Sequence, residues 1–420
     1  MSIPQPLPRV EAFEKMGFGL FLHWGLYSQL GTGEWSQFIH KISIPEYRKL
    51  AAAFTACDFD PEDWAMTARE AGMKYIVLTT RHHDGFSLYD TCGLNDFDAP
   101  HTPAGRDLVA EYVAACRKYD IVPFFYHTTL DWQWKGKTTQ ELSQKDFDRY
   151  LDYLNDSVEI LCRNYGPIGG LWFDGNWSRP DDDWKEDRLY ATIRKYQPEA
   201  IIVNNTGLFH RGETGNTEID SVTFEQGNAT QLNREGQSKY VAGEVCRTMN
   251  KHWGIGNCDL NYFSPRDVIE MLASSRKYRA NLLLNVGPEA QGAFPAYEKQ
   301  VLKKAGIWCN TFREAVYTPR PAADCWCAGK DFILNKGNAY YYFVHDLGVR
   351  GDNNVTSEAA GTGVRAINNF RKQVKSACWL DNGENIAFCQ NLDAGLLAVN
   401  CTGYPYGTNL VVRVMKITTL

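Results

Sequence analysis

Short apolar runs alternate with amphipathic segments over roughly the first 320 residues of the chain. Eight of the runs have the length and continuous apolar character of buried strands, and they cover residues 17–23, 73–80, 121–126, 169–174, 200–204, 219–224, 240–245 and 281–286. Segments of helical period separate most of them, and Asp60 and Asp107 stand where two of these segments need an N-cap. Repeated strand–helix alternation predicts parallel strands joined by helical crossovers.

Eight such units predict an α/β fold of the (β/α)8 barrel type. We expect the barrel to be irregular, because residues 206–239 lack good helical patterns. From about Asp324 the pattern changes to short alternating stretches separated by Gly, Asn and Asp, which is typical of an antiparallel β-sandwich. The sequence therefore predicts a barrel domain over residues 1–320 and a C-terminal sandwich over residues 321–420.

Composition narrows the class of protein. The chain has 420 residues, 44% of them hydrophobic, which excludes a disordered chain, and its net charge is −6. Without a run rich in Lys and Arg, we predict no nucleic-acid partner. No stretch approaches the ~18 apolar residues of a membrane span, and the first residues lack the apolar core of a signal peptide. We therefore expect a cytoplasmic protein without a membrane partner.

Residues with candidate catalytic or binding side chains lie at the ends of the predicted strands or directly after them, where a barrel of this kind places its active site. The polar and aromatic residues at these positions are His23, His82, His83, Tyr126, Trp172, Asp174, Glu225 and Glu244. Asp174 carries the most weight, because an acid at the end of an apolar run needs a reason to be desolvated. His82 and His83 are adjacent, and on an extended backbone they would point to opposite sides. We expect one to face a ligand and the other to orient a neighbour.

Carboxylates, histidines and aromatic rings at one rim suit carbohydrate chemistry. Glycosidic cleavage needs two carboxyl groups that flank the bond, while aromatic faces stack on sugar rings and imidazoles bind hydroxyl groups. Two alternatives remain. A metal-dependent barrel hydrolase would use His23, His82, His83 and an acid, although the chain has no His-x-His strand pair or His-Glu-x-x-His helix. A non-catalytic sugar-binding protein would keep the pocket alone. We predict no cofactor and no metal.

Several segments resemble, in the same order, those of the retaining α-L-fucosidases of glycoside hydrolase family 29. They are FLHWGLYS, GEW, TTRHHDGF, LWFDGNW, GEVCRTMNKHWGIG and NLLLNVGP, and they extend from about Gly17 to Gly287. The resemblance implies an imperfect barrel followed by a β-sandwich, and a fucosylated oligosaccharide as substrate. It implies that Asp174 is the nucleophile of a double displacement that releases terminal α-linked L-fucose. It also implies a fucose pocket lined by His23, Glu34, Trp35, His82, His83, Tyr126, Trp172 and Trp253.

The acid/base residue has two candidates. Glu225 ends a strand-like run in the segment that usually supplies this residue, so we favour it over Glu244, which we interpret as a structural acid. Many relatives have Asn-Asp-Arg after the fifth strand, whereas this chain has Asn204, Asn205 and Thr206. A pocket arginine is therefore missing at Thr206 or supplied from elsewhere. The linkage that is cut and a homo-oligomeric state are left open.

Overall fold

A computed structural model describes residues 2–205, 215–351, 355 and 363–420 of the chain. Its first part is a closed barrel of eight strands, each parallel to its neighbours and in chain order, with β8 pairing back to β1. The strands are β1 (Phe18–Leu22), β2 (Tyr75–Arg81), β3 (Val122–Thr128), β4 (Gly170–Asp174), β5 (Ile201–Asn205), β6 (Ser221–Glu225), β7 (Ala242–Thr248) and β8 (Asn281–Val286). Each of the eight predicted runs overlaps one of these strands, so the predicted barrel is confirmed.

Among the described residues, the helices of ten or more residues follow the predicted pattern. The α-helices of the described residues are α1 (Pro8–Met16), α2 (Ser36–Ile39), α3 (Ile44–Arg48), α4 (Pro61–Glu70), α5 (Leu108–Lys118), α6 (Gln144–Asn164), α7 (Glu186–Tyr196), α8 (Pro265–Lys277), α9 (Ala296–Thr311) and α10 (Arg313–Val316). Asp60 accepts hydrogen bonds from the first turn of α4, and Asp107 does the same for α5, so both predicted N-caps are confirmed. Among the described helices, none combines the length and the apolar character that crossing a membrane requires.

The interior of the barrel is filled by large side chains from alternate strand positions. Tyr75, Phe124, Tyr126 and Trp172 belong to one buried apolar cluster there. Gly19 makes room for Tyr75, since a Cβ atom at this glycine would lie 2.4 Å from the tyrosine ring. The barrel is therefore a packed core, and only its carboxyl-terminal end is left for a cavity.

Helix α1 was not predicted from the sequence, and it contributes to the same cluster. Val10 and Phe13 are buried, and the Phe13 ring lies 5.6 Å from that of Tyr75, the first residue of β2. The Nε atom of Arg9 forms a 3.1 Å ion pair with Asp220. This helix therefore packs at the amino-terminal end of the barrel, opposite the end that carries the candidate residues.

The C-terminal part forms two antiparallel sheets, as predicted for a sandwich. One sheet has the order β10-β13-β16-β15 and the other has the order β14-β17-β12-β11-β9. Their strands are β9 (Arg320–Pro321), β10 (Trp326–Cys327), β11 (Phe332–Lys336), β12 (Ala339–Val344), β13 (Gly363–Asn368), β14 (Val374–Trp379), β15 (Phe388–Asn391), β16 (Leu396–Cys401) and β17 (Arg413–Thr419). Side chains from both sheets, among them Tyr342, Ile367 and Trp379, share one buried core.

The chain divides into two compact units. The first extends to Phe263 and includes Asn281–Lys303, and the second comprises Ser264–Ala280 and Lys304–Leu420. The domain boundary between residues 320 and 321 stays a prediction. All the candidate site residues lie in the first unit.

Candidate active site

A cavity of about 510 Å³ lies at the carboxyl-terminal ends of the barrel strands. Its lining contains both favoured acids and every residue predicted for the sugar pocket: His23, Glu34, Trp35, His82, His83, Tyr126, Trp172, Asp174, Glu225 and Trp253. It also contains five residues that the sequence analysis did not place there: Phe21, Trp177, Asn205, Gln226 and Lys251. Glu244 is absent from the lining.

Asp174 is the last residue of β4, and three aromatic side chains contact its carboxylate. The indole Nε1 of Trp177 donates to it at 2.9 Å, the hydroxyl of Tyr126 donates at 3.3 Å, and Nε2 of His83 lies 3.5 Å away. Burial by itself would raise the pKa of Asp174, but the contacts with His83, then Trp177 and Tyr126, outweigh it and hold the pKa below its ordinary value. The site therefore keeps an ionised carboxylate in the cavity.

Glu225 is the last residue of β6, and the amide of Asn205 links it to Asp174. Nδ2 of Asn205 donates to Oε2 of Glu225 at 2.5 Å and lies 3.4 Å from Oδ1 of Asp174. The hydroxyl of Thr223 donates to Oδ1 of Asn205 at 2.9 Å, which turns the amide nitrogen towards the two acids. By the sum of the two Asn205 distances, these carboxylate oxygens lie no more than about 6 Å apart, a limit that includes the ~5–5.5 Å of retaining glycosidases.

His23 presents a neutral acceptor nitrogen to the cavity. Its Nδ1 lies 2.6 Å from Oδ1 of Asn285, whose own Nδ2 donates to the carbonyl of Trp253 at 2.7 Å. Nδ1 of His23 is therefore the donor, and Nε2 carries the lone pair. Burial lowers the pKa of His23 to about 3. A sugar hydroxyl could donate a hydrogen bond to this Nε2.

His82 and His83 both line the cavity, so the expectation that they point to opposite sides was wrong. Strand β2 ends at Arg81, and the chain turns immediately, with the amide of Gly85 donating to the carbonyl of His82 at 3.0 Å. The turn brings the two imidazole rings to 4.1 Å between centroids. Alternation of side chains applies only to extended backbone, and the extended segment stops one residue too early.

Glu34 joins the loop after β1 to the loop after β7. Its carboxylate accepts hydrogen bonds from the backbone N–H of Trp253 at 3.1 Å and of Gly254 at 2.8 Å. Burial raises the pKa of Glu34, while the hydrogen bonds from Gly254 and Trp253 oppose the change. Glu34 thus fixes Trp253 against the cavity, and the neighbouring Trp35 stacks on Trp177 at 5.8 Å.

Glu244 lies inside the barrel, beneath the cavity, and is fully buried. Its two oxygens accept hydrogen bonds from the hydroxyl of Tyr75 at 2.6 Å and from the indole of Trp172 at 2.8 Å. Burial raises the pKa of Glu244 to about 7, although the bonds from Tyr75 and Trp172 lower it. Its contacts are those of a structural acid that supports Trp172.

The position of one unexpected lining residue could have been predicted from the sequence. Phe21 precedes His23 by two positions in the predicted run of residues 17–23, so on extended backbone the two share a face. Asn205 is the in-register neighbour of Asp174 on the adjacent strand, and that pairing could not be known before the barrel was assembled. Lys251 lies in the loop after β7, and no sequence pattern indicated that it would line the cavity. Thr206, where a pocket arginine is missing relative to many fucosidases, lies outside the described residues.

Metal-ligating side chains do not cluster in the described ranges. Within residues 2–205, 215–351, 355 and 363–420, no three His, Cys, Asp or Glu side chains are placed to hold a metal ion. Nδ1 of His23 is paired with Asn285 and Nδ1 of His83 with Thr128, while Nε2 of His83 lies against the Asp174 carboxylate.

A barrel whose strand ends hold two bridged carboxylates, neutral imidazole and aromatic rings around one cavity is a glycoside hydrolase by its architecture. The family model for alpha-L-fucosidase matches residues 4–314. The chain is 29% identical to rat (Rattus norvegicus) tissue alpha-L-fucosidase over 353 residues, covering 76% of this chain and 71% of the relative. It is 27% identical to the human (Homo sapiens) enzyme, covering 81% and 76%.

Solved structures agree with these matches. Alpha-L-fucosidase isoenzyme 1 from Paenibacillus thiaminolyticus superposes with a TM-score of 0.82 at 30% identity, covering 98% of this chain and 99% of that one. The alpha-fucosidase from Thermotoga maritima, solved with a mechanism-based inhibitor, shares the fold with a TM-score of 0.76 at 24% identity, covering 97% and 96%. The chain belongs to the alpha-L-fucosidase family, and it is a glycosidase that hydrolyses fucosides.

Proposed function

We propose that the protein is a retaining exo-α-L-fucosidase in which Asp174 is the nucleophile and Glu225 is the acid/base. The observation that carries the proposal is the Asn205 amide, which lies within hydrogen-bonding distance of both carboxylates. An inverting enzyme needs room for a water molecule between sugar and base, with carboxyl groups roughly 6.5–9.5 Å apart. The shorter separation supports direct attack by a carboxylate.

In the first step, the ionised Asp174 attacks the anomeric carbon of fucose and forms a glycosyl ester. The bond to the leaving oxygen breaks, and protonated Glu225 transfers its proton to that oxygen. In the second step, Glu225, now a carboxylate, takes a proton from water while the water oxygen attacks the anomeric carbon. The ester bond breaks, Asp174 is a carboxylate again, and fucose leaves in the α configuration.

Glu225 suits the acid/base role better than Glu244 because it faces the cavity. Both oxygens of Glu244 accept hydrogen bonds from protein side chains, and no part of this residue reaches the cavity lining. A substrate oxygen could approach Glu244 only if Trp172 moved aside. The raised pKa of Glu244 is therefore a consequence of burial and not a sign of catalytic use.

The cavity is closed at its base, which favours a terminal sugar. Phe21, Tyr126 and Trp172 pack against one another beneath it, with ring centroids 5.2 to 5.9 Å apart. Trp253 stands on the wall, 5.1 Å from the His23 ring. These rings offer an apolar surface for the methyl group and C–H face of fucose. The imidazoles are placed to bind its hydroxyl groups.

The experiment that tests the proposal is hydrolysis of nitrophenyl α-L-fucoside followed by proton NMR during the first minutes. We expect α-L-fucose to form first and to mutarotate afterwards to the β anomer. First formation of β-L-fucose would contradict the nucleophilic role of Asp174. If neither this substrate nor fucosylated di- and trisaccharides were cleaved, the proposed function itself would be wrong.

A further inference from the structure

A second groove lies beside the sugar cavity. It has a volume of about 620 Å³ and shares Glu34, Trp35 and Lys251 with the cavity lining. A substituent on a sugar that occupies the cavity would have this groove directly next to it. The groove therefore lies where the leaving group of the substrate would be.

Two loops form the groove, and backbone hydrogen bonds join them. The amide of Gly33 donates to the carbonyl of Ile255 at 2.9 Å, and the amide of Asn257 donates to the carbonyl of Gly31 at 2.9 Å. Gly33 has a φ of +91°, and a Cβ atom there would lie 2.9 Å from the His252 ring. The close contact requires glycine, so the loops are fitted to each other before any ligand arrives.

One cation of this groove, Lys251, has no ion-pair partner among the residues that the structure describes. Its side chain is exposed. His40 and His252 line the same groove.

The two carboxylates of the groove are engaged within the protein. Glu34 accepts the backbone N–H groups of Trp253 and Gly254. Asp259 is buried and accepts from the backbone N–H of Lys251 at 2.8 Å and from Nδ1 of His252 at 2.8 Å. Neither carboxylate lies within ion-pairing distance of the Lys251 ammonium, so this cation is free to meet a charge on a ligand.

Part of the groove lining is apolar. Ile39 is 64% exposed, and Trp35 is half-buried beside it. An apolar surface and a cation in one groove fit a sugar ring whose C–H face packs on the apolar residues and whose substituent reaches the ammonium group. A neutral sugar would use the apolar surface and leave the cation without a partner.

We propose that this groove binds the leaving-group sugar and that Lys251 recognises a negative charge on it, either a carboxylate or a sulfate ester. The inference rests on the proposed function, because the groove has this meaning only when fucose occupies the neighbouring cavity. Recognition by a surface cation is worth a few-fold in rate or affinity, and added salt weakens it.

The test compares kcat/KM for three aryl α-L-fucosides whose rings carry a carboxylate, a sulfate ester, or the methyl ester of that carboxylate. We expect Lys251→Met to lower kcat/KM for a charged substrate about fivefold more than for the methyl ester, and Lys251→Arg to restore the preference. The charged substrate that loses more identifies carboxylate or sulfate as the better ligand. Lys303→Met, at an exposed lysine outside the groove, should leave the ratio unchanged.

Two results would overturn the inference, and they differ in meaning. If Lys251→Met lowers kcat/KM for all three substrates by the same factor, the lysine does not recognise the charge of the substituent, although the enzyme remains a fucosidase. If wild-type protein cleaves none of the three, including the neutral ester, the proposed function fails and this inference fails with it.

Discussion

The indole Nε1 of Trp172 donates a 2.8 Å hydrogen bond to Glu244 inside the barrel. This tryptophan also lines the cavity, so a buried acid holds in place a ring of the cavity wall. This hydrogen bond distinguishes the roles of two acids that lie on neighbouring strands, Glu225 on β6 and Glu244 on β7. Glu225 lines the cavity, whereas Glu244 lies beneath the cavity and holds Trp172.

Glu244 should make the stability of the protein depend on pH. Burial raises its pKa from 4.5 to about 7, so between these values the folded protein keeps a proton that the unfolded chain has lost. The free energy of unfolding should therefore fall as pH rises through this window, by up to about 3 kcal/mol, and level off above it. Urea unfolding at pH 5 and pH 8 measures the difference.

The matched control for this effect is Glu244→Gln, which keeps the shape and cannot ionise. Its oxygen can accept from Trp172 while its amide donates to the oxygen of Tyr75, so both contacts survive. The difference between pH 5 and pH 8 should shrink in this variant. An unchanged difference would assign the pH dependence to other groups.

Replacement of Asp174 should stop turnover and open a route for an external nucleophile. We expect Asp174→Gly to lower kcat for nitrophenyl α-L-fucoside by about 10³-fold or more. Azide should then attack the anomeric carbon from the vacated side and give β-L-fucosyl azide, which NMR identifies. Formation of the α azide would mean that the nucleophile remained in place and that the assignment is wrong.

Glu225→Gln should slow the enzyme according to the leaving group. Nitrophenolate departs without a proton, whereas a sugar alkoxide needs one, so kcat/KM should fall about 10² further for a fucosyl disaccharide than for nitrophenyl fucoside. Glu244→Gln provides the comparison, because a structural acid should affect both substrates equally. If Glu244→Gln showed the leaving-group dependence instead, the acid/base role would move to Glu244.

Asn205 and Asn204 form a matched pair on strand β5. Asn205 bridges the two carboxylates, whereas Nδ2 of Asn204 donates to Tyr190 at 2.8 Å and contacts Glu186, away from the cavity. Asn205→Ala should lower kcat/KM about 10- to 100-fold because both acids lose a hydrogen bond that orients them. Asn204→Ala should instead lower the melting temperature and leave kcat/KM near the wild-type value. Equal losses of activity would contradict the bridging role.

Sequence patterns were sufficient for the barrel because each strand is buried on both faces and therefore reads as an apolar run. They also singled out Asp174, an acid that interrupts such a run. They did not reveal α1, a nine-residue helix with three buried side chains, Val10, Phe13 and Glu14, since so short a segment shows little periodicity.

Other features depend on the folded backbone and could not be read from the sequence. Asn205 gains its importance only from its register with Asp174, and the shared side of His82 and His83 depends on where β2 ends. Choosing between Glu225 and Glu244 required knowing which strand position reaches the cavity. The cytoplasmic location was inferred from absent signals, and it stays a prediction.

The contact of Glu34 with the backbone of Trp253 bears on how the enzyme is made. These partners are separated by 219 positions in the chain. Most of the barrel must therefore be synthesised and emerge from the ribosome before this contact can form. Contacts between residues so distant in sequence form slowly. An unfinished polypeptide on the ribosome has no complete fucose pocket, so activity begins only after the last barrel strands have emerged.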